Sequence, residues 1–177
     1  MSGTASLEQI APSFTGQLLQ PGDAGYDEAR RVHNGLIDKR PALIARCQGV
    51  ADVADAVKLA RTMNLEVAVR GGGHSVAGRA TVDKGLMIDL APMKGIYVDP
   101  VARTARVQGG VLWKEFNRET QLHALATTGG TPALGNTTTN RRDRLKHLID
   151  SQLLCGILRS SSQFLLRKWW HHVGENG

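Results

Sequence analysis

The stretch Leu65-Glu66-Val67-Ala68-Val69-Arg70-Gly71-Gly72-Gly73-His74-Ser75-Val76-Ala77-Gly78 decides how this chain is read. Residues 65–70 alternate as a strand with one buried face does, and the strand runs without a spacer into three glycines. Consecutive glycines at a strand end permit positive φ and let a ligand approach main-chain N–H groups. N–H groups gathered in a concave nest suit a pyrophosphate. Taken alone, three glycines fit a plain tight turn equally well, so their neighbours have to decide.

Spacing excludes two phosphate loops. The dinucleotide pattern G-x-G-x-x-G needs glycine at position 76, where Val76 stands, and the P-loop pattern from Gly73 to Gly78 is followed by Arg79-Ala80 instead of Lys and Ser/Thr. Upstream, Pro41 opens the apolar run Ala42 to Cys47, short enough for a buried strand, and Gly49 turns the chain. From Asp52 to Met63, the residues Val53, Ala56, Val57, Ala60 and Met63 recur at helical steps and predict a helix with one apolar face. Asn64 ends it, which gives the order strand, helix, strand, glycine loop, with the strand ending at Arg70 expected at the centre of its sheet. Downstream, residues 86–90, 95–99 and 104–108 read as strands, the last two joined as a hairpin at Asp99-Pro100, and Val111 to Thr120 as a helix. Tyr26 to Asn34 suggests a short helix, and residues 1–25 an irregular lead-in.

The 177 residues suffice for one domain with a real core, and 41% apolar with 21% charged residues is ordinary globular usage. Cys47 and Cys155 have neither CxxC spacing nor histidines at zinc-ligand distances, so a disulfide scaffold or zinc site is not expected. No apolar stretch reaches a membrane span and Met1 to Pro12 lacks a signal pattern, which makes a cytoplasmic protein the expectation. The net charge of +6 is concentrated late: residues 1–135 carry +2 and residues 136–177 carry +4. A nucleic-acid reading would have to rest on that tail, where only Phe164, Trp169 and Trp170 offer stacking surfaces.

Val69 to Gly78, V-R-G-G-G-H-S-V-A-G, resembles the flavin-attachment loop of the berberine-bridge-enzyme-like FAD-linked oxidases, which share the vanillyl-alcohol-oxidase-type (PCMH-type) FAD-binding fold. The resemblance continues in order through residues 41–47, Asp52-Val53, residues 86–90, Gly109 to Trp113 and Ala126 to Thr131, covering about residues 13 to 131. It implies an α+β FAD-binding domain over residues 26–135 and FAD as cofactor. By the same resemblance His74 bonds the flavin 8α carbon through a ring nitrogen, and Gly71, Gly72, Gly73 and Ser75 meet the pyrophosphate. A neutral imidazole is a good nucleophile near neutral pH, so the attachment is chemically sound. The candidate cofactor-binding set is Arg70, Gly71, Gly72, Gly73, His74, Ser75, Val76, Gly78, Gly130 and Thr131. Catalytic residues are not assigned, and no metal ligand is.

Beyond Gly129-Gly130-Thr131 the likeness stops. Pro132 stands where some members carry a second, cysteine-borne attachment, so a single attachment is implied. Residues 136–177 read as a divergent basic tail, as from a shifted reading frame, and the chain as a truncated N-terminal portion. A partner-binding helix through Leu145, Leu148, Ile149, Leu153, Ile157 and Leu158 is the other reading, and His171-His172 is taken as solvated. The resemblance implies an oxidoreductase acting on a small organic substrate with an electron acceptor such as O2. The alternative is a catalytically inactive flavin-domain remnant or binding module.

Overall fold

The structure, a computed structural model, describes residues 13–127 and the backbone of residues 161–165 and 167–168. Its first sheet contains β1 (Gln17–Leu19), β2 (Leu43–Arg46), β3 (Val67–Arg70) and β4 (Leu86–Asp89) in the order β1-β2-β4-β3. β2 and β3 both run parallel to β4, whereas β1 is antiparallel to β2. Two short helices and one longer one accompany the strands: α1 (Tyr26–Ala29), α2 (Val50–Thr62) and α3 (Trp113–Gln121).

β2 and β4 are apolar at nearly every position because both their faces are covered. Leu43, Ala45, Leu86 and Ile88 pack with Val53, Ala56, Leu59 and Ala60 of α2. On the opposite face Ile44 and Met87 meet Leu19, Tyr26 and Ala29. The expected helix face is therefore buried, with two changes: Val57 is only half-buried, and Met63 at the C-cap is 44% exposed. The carboxylate of Asp52 organises the start of α2, accepting hydrogen bonds from the N–H groups of Thr15 (2.8 Å), Gln48 (2.8 Å) and Gly49 (3.3 Å).

The strand ending at Arg70 is not central, contrary to expectation. Among the described residues β3 is the edge of its sheet, and β4 takes the interior place. Burial agrees with that order, since Val67 and Val69 are 40% and 47% exposed while all of β4 is buried. The lead-in is also less irregular than read, because residues 17–19 form β1. The helix expected over Tyr26 to Asn34 ends at Ala29.

A second sheet joins β5 (Ile96–Asp99), β6 (Thr104–Gln108) and β8 (Ser161–Leu165), all antiparallel neighbours. Asp99 caps the β5–β6 turn by accepting from the N–H groups of Val101 (3.0 Å) and Ala102 (2.8 Å). β7 (Leu125–Ala126) pairs with β9 (Arg167–Lys168). Strands from the stretch read as a tail thus pair with strands of the domain. The apolar stripe over residues 145–158, Gly130, Thr131, the Trp169-Trp170 pair and the His171-His172 pair lie outside the described residues. Beneath the hairpin, Ala105, Val107 and Val111 pack with Trp113, Phe116 and Leu125. The Trp113 and Phe116 rings meet edge to face at 5.5 Å.

Candidate cofactor site

The parallel register sets Arg46, Asp89 and Arg70 side by side at the C-terminal ends of β2, β4 and β3. This is the end of a parallel sheet at which ligands bind in open α/β folds. Asp89 is 1% exposed and bridges the two cations, accepting from Arg70 Nη1 at 2.9 Å and Arg46 Nε at 3.3 Å. Arg70 Nε also donates to the carbonyl of Arg31 at 3.1 Å. The guanidinium placed in the candidate set is therefore engaged in anchoring the root of the loop.

From that root the chain turns through Gly71, Gly72 and Gly73, with Gly71 and Gly73 buried and Gly72 half-buried. Gly73 has φ +72°, a left-handed conformation that side chains rarely adopt, so glycine is required there for its backbone. The far end closes on itself: Ser75 accepts from Gly78 N–H through its carbonyl (3.0 Å) and from Arg79 N–H through Oγ (3.1 Å). Gly78, at φ +66°, leaves room for Ile37, which an added Cβ would meet at 3.0 Å. Val76 is 80% exposed.

Between these ends the N–H groups of Gly71, Gly72, Gly73, His74 and Ser75 have no acceptor among the described residues. N–H groups that lack an acceptor within the protein are suited to a ligand oxygen, and here five successive ones lie on a loop whose Gly71 and Gly73 are buried. The residues present thus fit a phosphate-bearing cofactor. His74 is half-buried on this loop, outside the apolar clusters, as the attachment reading requires. Its ring stacks on that of His33, with centroids 4.4 Å apart and planes at 23°.

Residues 31–39 form a strap over the loop that the sequence reading missed. His33 N–H donates to Gly73 O (2.9 Å), Asn34 Nδ2 to Val76 O (3.0 Å), and Lys39 Nζ to Gly78 O and Thr81 O (both 3.3 Å). Arg30, paired with Asp27 at 2.7 Å and with Asp38, ties the two ends of the strap. A residue pairing with a partner about 40 positions away has no local signature. The one available cue was Asn34-Gly35, a turn dipeptide, at the end of the stretch read as helix.

A shallow depression of about 450 Å³ lies elsewhere, over Gly95, Ile96, Tyr97, Arg106, Val107 and Gln108 of the β5–β6 hairpin. It touches none of the loop residues. No helix among the described residues is long and apolar enough to cross a membrane.

Comparison with known proteins finds a matching family and several relatives. Residues 41–139 match the FAD binding domain family. The chain is 39% identical over 124 residues to (R)-6-hydroxynicotine oxidase of Paenarthrobacter nicotinovorans, covering 70% of this chain and 27% of that protein. It is 33% identical over 120 residues to an uncharacterized FAD-linked oxidoreductase of Bacillus subtilis, covering 68% and 27%. The crystal structure of 6-hydroxy-D-nicotine oxidase from Arthrobacter nicotinovorans superposes with a TM-score of 0.69 at 36% identity, over 71% of this chain and 28% of that one. A BBE-like protein of Physcomitrella patens shares the fold, with a TM-score of 0.69 at 23% identity over 73% and 29%. The chain spans little more than a quarter of the length of these relatives. It therefore belongs to the FAD binding domain family, with FAD as the cofactor.

Proposed function

We propose that this chain supplies the pyrophosphate-binding wall and the covalent attachment point of an FAD-dependent oxidoreductase acting on a small organic alcohol, amine or sugar. The observation that carries this reading is the run of N–H groups from Gly71 to Ser75 that have no acceptor among the described residues, with His74 on the same loop. Those N–H groups hold the pyrophosphate, Arg70 fixes the loop to β4 through Asp89, and Gly73 and Gly78 supply the backbone turns. Gly130 and Thr131 complete the binding set. His74 is the residue that would keep the flavin on the protein, its ring nitrogen replacing one hydrogen of the 8α methyl group, with the protons released to solvent and the two electrons taken up by the flavin and passed on to its acceptor. FAD held there would supply hydride transfer from an organic substrate and onward electron transfer to an acceptor such as O2, and this chain's residues would hold and orient it. The named activity of the relative, oxidation of a hydroxylated nicotine, supports an organic substrate of that size.

The test is to express the chain as it stands and, separately, with its residues from Pro132 replaced by a family continuation, then to denature both in acid. Flavin retained on the extended chain and lost in His74→Ala is the expected result. Flavin still retained by His74→Ala would refute the attachment, and absence of flavin from both forms would favour an inactive remnant.

A further inference from the structure

The strap meets the loop in a selective way. Its donors fall on the carbonyl oxygens of Gly73, Val76 and Gly78, and none of its groups accepts from the N–H groups of Gly71 to Ser75. The loop is thereby fixed from behind while its donors stay available. Three successive glycines lose more backbone freedom on ordering than any other residues, so a nest that is to stand open before its ligand arrives needs such external anchors.

One strap side chain reaches His74 itself. The His33 side chain belongs to an exposed residue, lies outside the apolar clusters, and has its ring against the ring of His74. Its backbone N–H already holds Gly73 O, so the ring is not needed for the strap to attach. What the ring adds is a flat surface laid against one face of the His74 imidazole.

We propose that His33 is a positioning residue for the cofactor loop: its stacked ring holds His74 and the adjoining N–H groups in the arrangement that receives the pyrophosphate. This rests on the reading of Gly71 to Ser75 as a pyrophosphate nest. A ring-to-ring contact, taken as a fold-change in an equilibrium, is worth about two- to tenfold.

The experiment uses the isotope-labelled 177-residue chain with inorganic pyrophosphate as probe, followed by NMR at the loop amides and the His74 ring protons. His33→Ala keeps the backbone bond to Gly73 and deletes only the ring, and His33→Phe restores a ring without imidazole nitrogens. Core methyl signals of Leu59 and Ile88 report that each variant is folded. The expected result is that pyrophosphate shifts the Gly71 to Ser75 amides in the parent chain. His33→Ala should then move the His74 ring signals and weaken pyrophosphate about two- to tenfold, and His33→Phe should recover both. Unchanged affinity in His33→Ala overturns the proposal, whether or not the His74 signals move, and so does failure of His33→Phe to recover. If the parent chain shows no amide shifts, the nest reading itself fails and the role of His33 falls with it.

Discussion

At the scale of single residues, Gly110 and Cys47 show how closely the fold is specified around the strand ends. A Cβ at Gly110 would stand 2.0 Å from Leu90 O and 2.7 Å from Met93 O, both backbone atoms that cannot rotate away. Gly110→Ala is therefore expected to cost about 3 kcal/mol, read as a fall in the denaturation midpoint. An unchanged midpoint would mean that this segment shifts freely. Cys47 is fully buried after β2, and burial, with the nearby carboxylates of Asp52 and Asp89, pushes its thiol from 9.0 up to about 12. A raised acid value means that the unfolded chain ionises first, so this contribution is intact below pH 9.0 and is lost as the pH rises toward 12. Stability should decline by about 1.4 kcal/mol per pH unit in that window, and Cys47→Ala should remove this slope from alkaline denaturation curves.

At the scale of elements, α2 depends on a carboxylate as much as on its apolar face. Burial works to raise the Asp52 value, but hydrogen bonds from Thr15, Gln48 and Gly49 outweigh it and hold the carboxyl below its ordinary 3.8. The folded state prefers the ionised form, so this stability is present above pH 3.8 and disappears as the pH falls below it. Asp52→Ala leaves these donors without their acceptor and should cost about 1–3 kcal/mol, with a weaker acid dependence in pH-resolved unfolding. An unaltered acid limb would show that Asp52 does not couple β1 to α2. The helix itself was legible because four of its five stripe residues are wholly or partly buried, as the three- and four-residue spacing required. The expected helix over Tyr26 to Asn34 failed past Ala29 because residues 31–39 give their backbone and side chains to a distant loop. No local pattern encodes that competition.

At the scale of the whole molecule, the described residues set the glycine loop at the C-terminal ends of the parallel strands. Val67 and Val69 on the edge strand, Val76 at 80% and Leu36 at 93% exposure stand in solvent around the loop. A cofactor held from this side alone leaves its rings in water. Losing a few hundred Å² of apolar contact at roughly 25 cal/mol per Å² forfeits several kcal/mol. The 177-residue chain by itself should therefore bind FAD about 10³-fold more weakly than a version carrying the family continuation after Thr131. Flavin fluorescence titration measures both, and equal affinities would show that the second side is dispensable.

Local chemistry alone was enough for several features. Three glycines after a strand announce a loop with unusual backbone freedom, the spacing of Val53, Ala56 and Ala60 announces a helix, and Asp99-Pro100 announces a turn. Each depends on residues within a few positions of one another, where steric limits and side-chain periodicity act directly. Tertiary structure alone decided that β4 is interior and β3 an edge, that Asp89 binds two arginines, that the strap of residues 31–39 holds the glycine loop, and that residues 161–165 add a strand to β6. Those outcomes depend on which strands bury both faces and which backbone groups find distant partners. Such choices are made by the free energy of the assembled core, and no short window of sequence contains both participants.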